Sequence, residues 1–190
     1  AIQVLANGVS IEGLRIQKTD NINQNLIYVQ ADNFTFKDGE VFGKYVHDTS
    51  EVSRGFEVAY GSENLNISNN IFHHLRQVGY FNGSLASPTT GTIEDNYTYY
   101  TKGWVIDGAN FSFIGNTWGV GVDANVFDIA ILSATPSSYY SDLVAISNAN
   151  NEAVIEDQRL SPPLLTVAFV DINSPYVLED GGRLHPYKSL

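Results

Sequence analysis

The chain has 190 residues, with 10 basic and 21 acidic side chains and a formal net charge of −11. This charge argues against nucleic acids and anionic membranes, which need basic patches, and it disfavours strongly acidic substrates such as polygalacturonate unless calcium bridges the charges. The chain contains no cysteine, which excludes a disulfide framework and a thiolate metal site, and no apolar run reaches transmembrane length.

A short strand recurs along the first 131 residues. Its first core residues are spaced 25, 29, 24, 24 and 25 residues apart. A fixed period in this range is typical of a solenoid, in which each repeat stacks on the next. We expect the recurring residues to form one inward column: Ile2, Ile27, Phe56, Tyr80, Trp104 and Ile129.

Each repeat contains two further short strands. The second alternates apolar and polar residues, as at 34–36 and 65–67, and the third follows a polar turn, as at 41–42 and 71–72. Three strands per repeat predict one coil of a parallel β-helix, with coils stacked about 4.8 Å apart. The predicted fold is therefore an all-β, parallel β-helix solenoid of about five to six coils with an irregular C-terminal segment.

One turn position carries asparagine in three consecutive repeats, at Asn70, Asn96 and Asn116. Stacked side-chain amides can bond to one another along such a column, so an asparagine ladder is predicted here. Ordinary turn chemistry would also favour asparagine at this position.

The runs around these asparagines, residues 67–72, 93–97 and 113–118, resemble the coil repeats of the right-handed parallel β-helix, or pectin-lyase-like, superfamily. The resemblance covers roughly residues 1 to 131. It implies the fold, but that superfamily includes lyases, hydrolases, phage tail fibres, adhesins and surface-layer modules, so it does not imply one chemistry.

Departures from the repeat predict loops at 43–54, 82–90, 119–127 and 133–142. Apolar stretches at 143–146 and 153–155 predict a final irregular coil. We expect the β-helix to span 1–160, and residues 161–190 to form a C-terminal strand and tail that resembles the opening of a following module in exported proteins. The absence of methionine and a first strand that starts within a coil favour a segment of a longer protein.

Aromatic side chains are the candidate ligand contacts, because tyrosine beside asparagine and serine suits sugar stacking or a protein contact. Covering the rim of the coils is the other interpretation of these residues. The candidates include two residues predicted to point outward from the first strand, Tyr28 and Phe81, and five predicted near loops: Tyr45, Tyr99, Tyr100, Tyr139 and Tyr140.

Oxygen-bearing residues in the third loop and directly after it have the spacing of calcium ligands: Asp123, Asn125 and Asp128. The same residues are common turn formers. Apart from calcium no cofactor is expected. His73 and His74 are adjacent on a strand and should point to opposite faces, which disfavours a shared zinc ion.

Catalytic chemistry has little support in the sequence. A hydrolase needs two carboxylates facing one groove, and the outward positions of the second strand contain no stacked acid pair. Arg54, Arg76 and Lys102 are the only basic residues of the middle coils that could serve a lyase.

The sequence therefore favours a structural or binding module of a secreted or cell-surface protein, with a polysaccharide or another protein module as partner. The open strand edges favour end-to-end association, while nucleic acid binding and membrane insertion are disfavoured. The alternative is a fragment of a carbohydrate-active enzyme, a lyase or hydrolase, with its site near the 43–54 and 82–90 loops.

Overall fold

The computed structural model describes residues 1–19, 25–46, 53–121 and 127–159. These residues form a parallel β-solenoid of about six coils with one short helix. In chain order the strands are β1 (Ile2–Val4), β2 (Ser10–Glu12), β3 (Arg15–Gln17), β4 (Asn25–Val29), β5 (Thr35–Lys37), β6 (Glu40–Phe42), β7 (Arg54–Val58), β8 (Leu65–Ser68), β9 (Ile71–Leu75), β10 (Gln77–Asn82), β11 (Thr90–Glu94), β12 (Tyr97–Thr101), β13 (Trp104–Asp107), β14 (Asn110–Ile114), β15 (Thr117–Trp118), β16 (Ile129–Ile131) and β17 (Ile155–Asp157).

Three parallel sheets run along the solenoid, and each full coil contributes one strand to each sheet, as predicted. Sheet A has the order β1-β4-β7-β10-β13-β16-β17, sheet B the order β2-β5-β8-β11-β14, and sheet C the order β3-β6-β9-β12-β15. Apolar residues from all three sheets pack into one continuous core between them.

The inward column of sheet A is confirmed except at one position. Ile2, Ile27, Phe56, Trp104 and Ile129 are in register, but the fourth coil contributes Gly79. The prediction that Tyr80 belongs to the inward column is therefore wrong. Tyr80 lies in register with Glu57 on the outer face of sheet A, where its hydroxyl donates a hydrogen bond to Asp107 Oδ2 at 2.6 Å.

Packing explains this shift of one residue. A Cβ on Gly79 would lie 2.5 Å from the Phe81 ring and 3.2 Å from Trp104. The Phe81 ring occupies that space and stacks on Trp104, with ring centroids 5.7 Å apart. The prediction that Phe81 points outward is therefore wrong, since its side chain is fully buried.

The turn between sheets B and C repeats a left-handed backbone conformation. Asp38, Asn69 and Asp95 have φ values of 57°, 55° and 54°, and Gly115 has a φ of 68°. Asparagine, aspartate and glycine adopt this region most readily. The residue after each of them faces the core, which places the ladder asparagines one position further along.

The asparagine ladder is confirmed and is longer than predicted. Asn70 Nδ2 donates to Asn96 Oδ1 at 3.0 Å, and Asn96 Nδ2 donates to Asn116 Oδ1 at 3.1 Å. Asn116 Nδ2 in turn donates to Asn150 Oδ1 at 2.7 Å. Each Nδ2 also donates to a backbone carbonyl of an earlier coil, such as Ile67 O for Asn96. These buried amides are thereby satisfied in a column that fixes the stacking of the coils.

The final coil differs from the prediction. Residues 143–146 belong to a helix, α1 (Leu143–Ala149), in which Asp142 Oδ1 caps the Ala145 N–H at 2.9 Å. The helix packs beside β14, and its C-cap residue is Asn150, the last member of the ladder. The strand predicted near 153–155 is present as β17. No helix within the described ranges is long and apolar enough to cross a membrane.

Tyr140 is hydrogen-bonded to the backbone at the start of β14. Its hydroxyl accepts a hydrogen bond from Phe111 N at 2.7 Å and donates one to Ala109 O at 3.1 Å.

Part of the predicted 43–54 loop, part of the 119–127 loop, and the predicted C-terminal unit 161–190 lie outside the described residues.

Candidate functional site

The outer face of sheet C carries a stack of aromatic rings. Phe42 on β6, His73 on β9 and Tyr99 on β12 occupy the same register position in three successive coils. The ring centroids of Phe42 and His73 are 4.7 Å apart, as are those of His73 and Tyr99, and the ring planes differ by 15° and 11°. The solenoid spacing thus brings three rings into face-to-face contact.

Each end of the stack is occupied by a different group. The Arg15 guanidinium lies over the Phe42 ring at 4.6 Å from its centroid, which is a cation–π contact. At the other end the Tyr97 ring lies 5.2 Å from that of Tyr99. We call the set Arg15, Phe42, His73, Tyr99 and Tyr97 the sheet C stack.

One carboxylate connects the charged groups of this face. Glu40 forms an ion pair with Arg15 Nε, and its Oε1 lies 3.0 Å from His73 Nε2. The hydrogen bond from His73 and that from Arg15 lower the pKa of the Glu40 carboxyl below its ordinary value. The carboxylate is consequently ionised and paired at neutral pH, so it does not present an isolated charge to a ligand.

The face extends past the stack through a break in strand alternation. His74 and Tyr100 have φ values of 52° and 51°, a left-handed conformation that brings each side chain to the same side as its predecessor. Their ring centroids lie 5.0 Å apart. The expectation that His73 and His74 point to opposite faces is therefore wrong, because the left-handed backbone at His74 interrupts the alternation of β9.

Three large hydrophobic side chains of this face are open to solvent. Tyr97 is 41% exposed, Tyr100 42% and Ile71 42%. Tyr99 lies half-buried between them, and burial, followed by the Glu40 charge, raises the pKa of its phenol. It therefore keeps its proton at neutral pH. Exposed rings held by a rigid stack form a surface that can contact a ligand without reordering.

The structure brings together only some of the predicted ligand contacts. Tyr99 and Tyr100 lie on this face, and the Tyr45 N–H donates to His74 O at 2.9 Å, but the Tyr45 side chain is buried. Tyr28 is half-buried on the outer face of sheet A. Tyr139 and Tyr140 pack against the final coil.

The predicted calcium ligands fall largely outside the described residues. Asp123 and Asn125 belong to the part of the chain that is not described. Asp128 is buried, and its Oδ2 accepts a hydrogen bond from Val154 N at 2.8 Å. The calcium site stays a prediction.

Sequence reasoning missed the role of Phe42, His73, Glu40 and Arg15. The available signal was the register of the third strand. Once Val41 and Phe72 are assigned to the core, Phe42 and His73 must both point outward in one column. The unequal loop lengths between the coils concealed this alignment.

Comparison with protein-family models gave no match, and searches of curated proteins and of solved structures likewise gave no significant match. The parallel β-solenoid is therefore established by the strand pairing of this chain alone.

Proposed function

We propose that this chain is a binding module of a secreted or cell-surface β-helix protein of the pectin-lyase-like kind, and that it holds polysaccharide against the outer face of sheet C. The proposal rests on one observation. Tyr97 and Tyr100, 41% and 42% exposed, are positioned by a rigid stack on a single sheet face.

A sugar ring fits the chemistry of this face. Pyranose rings present C–H surfaces that pack on aromatic faces, and their hydroxyls need polar partners at the edges. The phenol groups of Tyr97, Tyr99 and Tyr100 combine both features on one surface. Because the neighbouring rings restrict these tyrosines, binding would cost little side-chain entropy.

The charge of the face favours an uncharged or weakly charged polysaccharide. Glu40 is paired with the Arg15 guanidinium and hydrogen-bonded to His73, as described above. The chain as a whole carries a net charge of −11, which repels an acidic polymer.

The test is binding of the full chain to insoluble and soluble polysaccharides, compared between wild type and Tyr97→Ala/Tyr100→Ala. We expect the double variant to lose at least about tenfold in affinity, because both exposed rings are removed while the buried core is untouched. The matched control is Tyr60→Ala, since Tyr60 is 58% exposed in a loop outside this face. Equal binding by wild type and the double variant would contradict the proposal.

A second candidate function is supported by the outer face of sheet A. The Arg54 guanidinium lies over the Tyr80 ring at 4.3 Å from its centroid, and Arg54 Nη1 is 3.2 Å from Glu57 Oε2. Tyr80 in turn donates to Asp107. Two carboxylates, an arginine and a tyrosine thus share one surface. Glycoside hydrolysis uses a pair of carboxylates, and a basic side chain could serve a lyase.

Burial and the Asp107 hydrogen bond raise the pKa of Tyr80 to about 12, so its phenol is a poor base at neutral pH. We therefore place the enzyme second. Reducing-end and unsaturated-product assays on the same polysaccharides test it. Turnover that disappears in Asp107→Asn would promote the enzyme over the binding module.

A further inference from the structure

Sheet B carries a groove on its outer face that the sheet C stack does not use. The groove has a volume of about 560 Å³ and crosses β8, β11 and β14. Its size lies within the range of small-ligand sites. The side chains that line it from outward positions are Asn64, Asn66, Thr90, Thr92, Asn110 and Ser112.

The outward side chains of the lining are polar and uncharged, and Leu65, Gly91 and Phe111 complete it. Amides and hydroxyls supply both donors and acceptors, and none of these residues is ionisable. Because the strands repeat in register, Asn66, Thr92 and Ser112 form one column, with Thr90 and Asn110 in the column beside it. A ligand lying along the solenoid would therefore meet a hydrogen-bonding group in each coil.

Asn66 is incompletely hydrogen-bonded. Its Nδ2 donates to Glu94 Oε1 at 3.1 Å. The Asn66 Oδ1 atom is buried, and no donor among the described residues reaches it. A buried acceptor without a hydrogen bond lowers the stability of the fold. Turning this amide toward a ligand hydroxyl in the groove would relieve that cost.

We propose that this groove is a second glycan site, distinct from the sheet C stack, which binds an uncharged oligosaccharide through hydrogen bonds. An anionic ligand would lose hydration without meeting a positive charge, and the nearby Glu94 would repel it. A peptide strand could not pair with β8 or β11, because both are already paired on each side. A neutral polyhydroxylated chain matches the donors and acceptors that remain.

The experiment is titration calorimetry of the full chain with cellohexaose, xylohexaose, maltohexaose and mannohexaose, and with hexagalacturonate as the charged counterpart. Thr92→Trp and Ser112→Tyr each place a large side chain in the groove from an outward position. We expect each to reduce affinity for the neutral oligosaccharide that binds best by at least about tenfold. Circular dichroism and urea unfolding establish that each variant is folded.

The matched control is Thr35→Trp. Thr35 occupies the same outward column one coil earlier and does not line the groove, so binding should stay within about twofold of wild type. The groove substitutions are also made in the Tyr97→Ala/Tyr100→Ala background, which removes the exposed rings of the sheet C face. Their effect on the remaining oligosaccharide binding should persist there, and this separates the groove from the sheet C stack. The proposal is overturned if no neutral oligosaccharide binds, if hexagalacturonate binds better, or if both folded groove variants bind like wild type. It is also overturned if Thr35→Trp loses binding equally, or if the groove substitutions have no effect in the double tyrosine background.

Discussion

The Nδ1 atoms of His73 and His74 lie 2.7 Å apart, so one imidazole donates a hydrogen bond to the other. His73 Nε2 faces the Glu40 carboxylate, which can only accept when ionised. A neutral His73 therefore carries its proton on Nε2, and its Nδ1 accepts from His74. Protonation of His73 would place two N–H groups against each other.

The first prediction concerns acid sensitivity. Burial, and then the proximity of His73, lower the pKa of His74 from 6.5. The unfolded chain therefore binds more protons than the folded chain as the pH falls past this value. The stability that neutral His74 contributes is present above pH 6.5 and is lost progressively below it. Urea unfolding measured at several pH values should show this loss, and His74→Gln should reduce it.

Glu40 provides an internal comparison, because its pKa is lowered from 4.5. Its contribution is present above that value and is lost only as the pH falls through the folded-state pKa. Glu40→Gln should therefore leave the slope near pH 6 unchanged. An identical slope in wild type and His74→Gln would contradict the assignment.

The second prediction ranks two buried features. Trp104 is fully buried and its ring contacts Phe72 and Phe81, with centroids 5.3 and 5.7 Å away. Trp104→Ala should lower the free energy of unfolding by about 3–5 kcal/mol through lost burial and a cavity. Asn96→Ala should cost less, about 1–3 kcal/mol, by leaving ladder partners unpaired. Chemical denaturation that reverses this order would contradict the ranking.

Trp104→Phe is the matched variant for the first of these changes. No acceptor in the described part of the chain reaches the Trp104 indole nitrogen. Phenylalanine therefore removes a buried N–H without breaking a hydrogen bond, and it should destabilise much less than alanine.

The third prediction tests the register of sheet A. Gly79→Ala introduces a Cβ 2.5 Å from the Phe81 ring. We expect about 1–3 kcal/mol of destabilisation from overpacking. In the Phe81→Leu background, Gly79→Ala should lower the free energy of unfolding by less, because leucine is smaller than phenylalanine and leaves room for the added Cβ. A double-mutant cycle measures this coupling, and strict additivity of the two changes would show that the ring is not the obstacle.

The fourth prediction concerns the packing of Tyr140 against β14, the last strand of sheet B. Tyr140→Phe removes the hydroxyl that joins Phe111 N to Ala109 O. The buried Phe111 N–H is left without its partner, which should cost about 1–3 kcal/mol in thermal or urea unfolding. Tyr139→Phe is the control, because its hydroxyl is not part of this bridge. Equal destabilisation by the two changes would contradict the specific role of the Tyr140 hydroxyl.

The sequence by itself determined the solenoid. The solenoid follows from a regular recurrence of core residues and of an asparagine at one turn. The recurring core residues are Ile2, Ile27, Phe56, Trp104 and Ile129. This pattern predicts the fold because every coil buries three short strands in the same way. The confirmed ladder at Asn70, Asn96 and Asn116 follows from this local repetition.

Only the tertiary structure decided what depends on contacts between coils. The choice of Gly79 over Tyr80 for the core depends on where the Phe81 ring lies against Trp104. The sheet C stack depends on the alignment of Phe42, His73 and Tyr99 across loops of unequal length. The extension of the ladder to Asn150 depends on a helix that ends beside β14. Spacing along the chain does not encode these distances, because packing between coils sets them.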